Sequence, residues 1–234
     1  DPWSTASGTS TVLNYFGPNG LNYIPATPSE LGEWTGGTAA DIVESINNGA
    51  FILQHRDHGY YGGWGEPAFN SNHIEDLTNV GQLSHIFSIN CQTGQFDVGT
   101  GSFGENFHRF ENGGALSVTA PTQVSYSFVN DALVWGIYDN MWPDFMPDYG
   151  GNQIPERDFR PAFGLASGKY FLSSTSWADN SMKLITYRLF HHFGDAYNVV
   201  YTEVPQTNSV AHEFGLTSDI TSLDVYAENG SMVG

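Results

Sequence analysis

The chain has 234 residues, room for one sizeable core or for one domain and the start of another. It carries 7 Lys and Arg against 25 Asp and Glu, a formal charge of −18 that repels phosphate backbones and anionic lipid and so argues against nucleic acid as a partner. Aromatic residues make up 15% and charged residues only 14%, so the acidity does not come with the low hydrophobicity of a disordered chain.

An acidic, lysine-poor, glycine- and aromatic-rich composition suits an exported bacterial protein, and the same charge suits cationic substrates or calcium. The single cysteine excludes an intrachain disulfide and a zinc site built on several thiolates. There is no apolar run of about 18 residues to span a membrane, and no basic and apolar leader at the start. Asp1 is expected to be a boundary, with more chain upstream.

Residues 1–36 are rich in Gly, Pro, Ser and Thr and read as looping chain with one short helix near Thr11–Phe16. The first clear element starts at Thr38, whose spacing to Asp41 forms a capping box; Ala39, Ile42, Val43 and Ile46 follow at helical spacing, and Asn48-Gly49 closes the helix. Ala50–Gln54 is a short apolar run suited to a buried parallel strand, with His55-Arg56-Asp57-His58-Gly59 at its C-terminal end. A glycine-rich loop from Tyr60 to Asn72, a short helix at His73–Leu77 and a strand at Ser84–Asn90 lead to Cys91. Beyond it the patterning predicts helices at Glu105–Asn112, Asn130–Tyr138, Phe163–Ser173 and Met182–His191, and strands at Ala115–Ala120 and Tyr197–Glu203. Strands separated by helices predict an α/β layer architecture on a mostly parallel sheet. After Pro205-Gln206 the composition turns to Thr, Ser and Asn with alternating apolar residues, so a boundary is expected near 206, with 207–234 beginning an incomplete β-sandwich.

Cys91 lies 33 positions after His58 (91 − 58), room for one crossover, and each follows a predicted parallel strand. Parallel sheets bind ligands in the crevice beyond the carboxyl ends of their strands, so the two side chains are expected to emerge together. An imidazole next to a thiol favours the thiolate, which attacks a carbonyl while the imidazolium protonates the leaving amine. By residue type alone, Cys91 could equally be a small buried hydrophobe.

The run His58-Gly59, Trp64-Gly65-Glu66-Pro67, Leu77-Thr78-Asn79 and Ile86 to Gly94 resembles the gingipain family of cysteine peptidases in order and spacing. Phe103 to Arg109, Ala115 to Phe128 and Phe193-Gly194-Asp195 add to the likeness, which covers roughly residues 36 to 206. The resemblance implies a caspase-like three-layer α/β sandwich for 1–206, its N-terminal part missing, with an immunoglobulin-like domain starting after it. It further implies cysteine endopeptidase activity, with His58 and Cys91 as the catalytic pair and the N–H groups of Gly59 and Cys91 as the oxyanion hole. A third, acidic residue that orients the histidine lies upstream in that family and is expected before Asp1.

The chain departs from the pattern at Asp57, where familiar members carry Gly. Asp57 borders the pocket for the side chain preceding the cut, so it, or Glu66, could select a cationic residue; solvated loop acids are the ordinary alternative. Ser102 stands where relatives carry a second Cys. Ser125, Tyr126 and Ser127 follow the next strand and are expected to line the cleft, although the Tyr126 ring could instead be core.

His55 and His58, three apart with Asp57 between them, would suggest zinc on a helix, but on a strand or turn they do not converge, and neighbouring His191-His192 would diverge on a helix. The Asp139–Asn152 loop offers oxygens for a structural calcium ion, though no cofactor is required for the expected chemistry. The expected partners are protein or peptide substrates and an N-terminal fragment of the same precursor. Two rival functions stay open: a sortase-type transpeptidase of the same family, and a non-catalytic binding module on the same fold.

Overall fold

The structure, a computed structural model, describes residues 17–20, 22, 25–26, 37–142, 158–175 and 179–201. The expected helix at Thr11–Phe16, most of the proposed calcium loop and the region 207–234 lie outside the described residues. The chain divides into two compact units, Asp1–Val200 and Tyr201–Gly234.

The first unit opens with α1 (Ala39–Asn47). Its capping box forms as the sequence suggests: Thr38 Oγ1 accepts the Asp41 N–H at 3.3 Å while the Asp41 carboxylate accepts the Thr38 N–H at 2.8 Å. β1 (Ile52–Arg56) follows, then three two-residue strands, β2 (Gly59–Tyr60), β3 (Gly63–Trp64) and β4 (Phe69–Asn70), which form a small antiparallel sheet inside the glycine-rich loop. After α2 (Ser71–Ile74) come β5 (Ser84–Ile89), α3 (Phe103–Arg109), β6 (Ala115–Pro121), α4 (Ser127–Met141), α5 (Pro161–Ser174), α6 (Asn180–Leu189) and β7 (Phe190–Phe193).

The main sheet runs β1-β5-β6-β7, with β1–β5 and β5–β6 parallel and β6–β7 antiparallel. β5 is buried at every position because both its faces are covered. Successive side chains alternate between the faces. Phe87 and Ile89 join Leu133, Ile137, Leu165 and Leu172 of α4 and α5 on one side. Ile86 meets Ile46, Trp64, Phe69, Phe103 and Phe107 on the other. This is the expected three-layer α/β arrangement, and each fully buried large apolar side chain in it contributes about 1.5–3 kcal/mol. Gly136 and Gly168 let α4 and α5 touch: a Cβ on Gly136 would fall 2.8 Å from the Gly168 Cα. Asn79, buried, closes the far end of the sheet by donating to Gly114 O at 2.9 Å and accepting the Gly114 N–H at 2.7 Å.

Three expected elements are corrected. β1 starts two residues later than the apolar run and includes the polar His55 and Arg56. The helix expected to run to His191 ends at Leu189, and His191 and His192 lie in β7, with Ala120 and Thr119 as their cross-strand partners. The strand expected from Tyr197 has no partner among the described residues; Tyr197 and Val199 are exposed, and Val200 is held by its N–H to Phe159 O at 2.8 Å. Ser102 caps α3 through a capping box with Glu105. That gives the residue a structural task of its own.

On the α4/α5 face, His85 pairs its Nδ1 with Ser117 Oγ at 2.7 Å. Burial chiefly, with the neighbouring His192 adding to it and the Val199 main chain opposing, pushes its pKa down to about 4. An unfolded histidine titrates near about 6.5, so between the two values the unfolded chain binds more protons and folding weakens as pH falls. The neutral His85 is fully tolerated above that window, and on the order of 3 kcal/mol is lost on crossing it downwards. The difference in thermal midpoint between the natural chain and His85→Gln is expected to shrink, or reverse in favour of Gln, as pH is lowered from 6.5 to 4. A constant difference across that range would refute the assignment.

Candidate active site

Arg56 of β1 and Ile89 of β5 are Cα partners in the parallel ladder. His58 lies two residues beyond the first and Cys91 two residues beyond the second. The register therefore delivers both side chains to the same end of adjacent strands, in the crevice where parallel sheets bind ligands.

Cys91 is half-buried and its sulfur meets the loop after β6. The Ser125 N–H donates to Cys91 Sγ at 3.4 Å, and the thiol lies 3.8 Å from Ser125 O and 3.9 Å from Ser125 Oγ. Ser125 is itself fixed: its hydroxyl donates to Asn90 O and accepts from Asn130 Nδ2 at 2.6 Å. Gln92, immediately after the thiol, has φ of 59°, a left-handed conformation uncommon for a residue with a side chain and concentrated at functional sites.

His58 is exposed at the mouth of the β2–β3 hairpin. Its carbonyl accepts the Gly65 N–H at 2.9 Å, and its own N–H donates to Asp57 Oδ1 at 2.7 Å. Bonded and non-bonded pairs alternate in an antiparallel ladder, so Gly59, next along and opposite Trp64, turns its N–H away from the hairpin partner. The Cys91 N–H has no hydrogen-bond partner among the described residues. Gly59 packs on the chain leading into Cys91: a Cβ there would lie 2.8 Å from Asn90 Cγ and 3.0 Å from Cys91 O. Only glycine fits this approach.

The remaining expected residues divide. Asp57 is exposed, and one of its oxygens is committed to the His58 N–H. Glu66 is exposed, and it is the main-chain carbonyl rather than the carboxylate that reaches inward, to His55. Ser125 touches the sulfur. Tyr126 precedes α4 and packs against the core, the alternative left open for its ring. The Ser127 hydroxyl and carbonyl accept from Arg56, which also forms a two-pronged ion pair with Asp131 at 2.6 and 2.9 Å. The pair is about one-third exposed, so its worth is about 1 kcal/mol or less; its effect is to tie the end of β1 to the start of α4. Among the described residues, no group of three His, Cys, Asp or Glu side chains could hold a metal ion.

Sequence reasoning missed what lies beneath the pair. His55 is buried, stacked flat on Trp64 with ring centroids 4.4 Å apart. Its Nε2 faces Glu66 O at 3.2 Å and its Nδ1 faces Asn90 Nδ2 at 2.9 Å. Burial holds its pKa below the usual histidine value, against smaller opposing effects of the Glu66 carbonyl and Asp57. Asn90 Nδ2 also donates to Ser88 Oγ at 2.8 Å, Trp64 Nε1 donates to the same oxygen at 2.8 Å, and Thr93 Oγ1 donates to Asn90 Oδ1 at 2.7 Å. The available signal was the spacing of Ser88 and Asn90, two apart in a strand otherwise rich in apolar residues and thus on one face.

The chain belongs to peptidase family C25. The family match spans residues 10–197 and so takes in every residue of this site. Gingipain R2 of Porphyromonas gingivalis is 23% identical over 218 residues, covering 85% of this chain and 27% of that relative. Gingipain R1 of the same organism is 32% identical over 79 residues, covering 34% of this chain and 8% of that protein. The chain thus spans about a quarter of the length of the first of these relatives. Among solved structures, the Arg-specific cysteine proteinase gingipain R superimposes with a TM-score of 0.62 at 22% identity, over 74% of this chain and 38% of that one. The likeness establishes the caspase-like fold of the gingipain catalytic region.

Proposed function

We propose that this member of peptidase family C25 hydrolyses peptide bonds in proteins through Cys91 and His58. The observation that carries the reading is the ladder register, which sets the two residues at equal offsets past neighbouring strand ends. Cys91 Sγ, its proton passed to His58, attacks the scissile carbonyl and a C–S bond forms. The carbonyl oxygen gathers negative charge facing the Gly59 and Cys91 N–H groups. His58 then gives the proton to the leaving amine as the C–N bond breaks. Water, deprotonated by the same imidazole, hydrolyses the thioester and restores the thiol.

Asp57 and Glu66, both exposed beside His58, give the mouth of the cleft a negative lining, which favours Arg or Lys before the cut. One of the similar solved proteins is named as Arg-specific. Another is a complex of pro- and mature domains, which supports a precursor fragment as a partner here. Relatives from a bacterium and the acidic, lysine-poor composition support a secreted or cell-surface location. Among the described residues no helix is long and apolar enough to cross a membrane. A calcium ion held by the Asp139–Asn152 loop remains part of this reading as a structural ion.

Iodoacetamide is expected to modify Cys91 within minutes near neutral pH and to abolish cleavage of a peptide library in parallel. A histidine-activated thiol reacts where a plain half-buried one does not. Slow alkylation of the folded protein would sink the dyad, and cleavage indifferent to charge would reject Asp57 and Glu66 as selectors. An amide product with an added amine nucleophile would instead indicate transpeptidation.

A further inference from the structure

The polar cluster under the dyad has one hydrogen arrangement that satisfies every member. Asn90 Nδ2 has two protons, one for Ser88 Oγ and one for His55 Nδ1. His55 Nδ1 must therefore be an acceptor, and the ring proton sits on Nε2, donated to Glu66 O. Ser88 Oγ accepts from Asn90 and from Trp64 Nε1, so its own proton goes to Thr93 Oγ1, 2.9 Å away. Thr93 in turn donates to Asn90 Oδ1. The cluster is closed and buried, which makes it rigid and makes any missing member costly.

Asn90 is where this cluster meets the chemistry. Its carboxamide is the surface on which Gly59 rests, its carbonyl oxygen accepts from the Ser125 hydroxyl, and its own carbonyl carbon begins the peptide unit that carries the Cys91 N–H. We propose that Asn90, locked by neutral His55, is a positioning residue that sets the spacing and direction of the Gly59 and Cys91 N–H groups that receive the oxyanion. The proposal rests on the reading of Cys91 and His58 as the dyad. Asn90 touches neither substrate nor reacting atoms; it acts through the two main-chain donors on either side of it. The charge on the carbonyl oxygen develops only in the transition state, so losing the alignment lowers kcat and spares KM. Alkylation by iodoacetamide proceeds at a saturated carbon with no oxyanion, so it reports on the thiol and His58 alone.

The test is steady-state cleavage and iodoacetamide alkylation of Asn90→Ala and His55→Phe, made in the natural full-length protein. His55→Phe keeps the stack on Trp64 while removing both ring nitrogens, and it decides the matter alone if Asn90→Ala does not fold. Asn90→Ala is expected to lower kcat about 100-fold, the scale of one lost oxyanion donor, with KM and the alkylation rate within about threefold of the natural protein. His55→Phe is expected to lower kcat about 10-fold with the same pattern, since it loosens Asn90 rather than removing it. Alkylation and kcat falling together would overturn the proposal, because the cluster would then support the thiol or the fold at large. Unchanged kcat would overturn it equally. Failure of the dyad reading is recognised separately: the natural protein itself would alkylate slowly and cleave nothing.

Discussion

Replacing Cys91 with alanine is expected to remove peptide hydrolysis, lowering kcat/KM by about 10⁴-fold or more, because no covalent route remains. The substitution is mild for the fold. Cys91 is half-buried past the end of β5, and its sulfur meets only Ser125 among the described polar partners, at 3.4 Å or more. Ser125 keeps its place through Asn90 O and Asn130 Nδ2. The change in stability should therefore be within about 1 kcal/mol, and circular dichroism should not move. Substrate should still bind, so the inactive variant should protect the fold against heat when peptide is added. Turnover retained by Cys91→Ala would remove the nucleophile from the mechanism.

The parts legible in the sequence were those fixed by local chemistry. The Thr38–Asp41 spacing specifies a capping box whatever the rest of the chain does, and both bonds form. Ser84–Ile89 is buried on both faces and shows as a run dense in apolar residues, so its end, and with it Cys91, could be placed. Long-range pairing was not legible. His191 and His192 continue a helical pattern from Met182, and with no Gly or Pro to stop it nothing local marks Leu189 as the last helical residue. The turn into β7 is made by pairing with β6, which lies about 70 residues earlier in the chain. Tyr197–Tyr201 shows the converse: aromatic and β-branched residues suited to a strand, but with no strand pairing among the described residues, where Val200 bonds instead to the Phe159 carbonyl. His55 was read against zinc because His58 is near it in sequence. The structure gives it a partner 35 residues away, Asn90, which only the β1–β5 register brings beside it.

His58→Ala is expected to lower kcat/KM by about 10³-fold or more, the loss of the proton carrier for both formation and hydrolysis of the thioester. Its effect on the fold should be small for a specific reason. The hairpin is held by main-chain groups, His58 O to the Gly65 N–H and His58 N–H to Asp57, and alanine keeps both. The ring is exposed, so its removal opens no cavity. Alkylation separates this variant from a merely misfolded one. At neutral pH His58→Ala should react with iodoacetamide much more slowly than the natural chain, since nothing takes the thiol proton. As pH rises past about 8.5, where free thiols ionise unaided, its rate should climb back while hydrolysis stays lost, because the leaving amine still lacks an acid. A variant that alkylates at the natural rate at pH 7 would mean that His58 does not activate Cys91. The shared strand-end register would then place the residues together without coupling them.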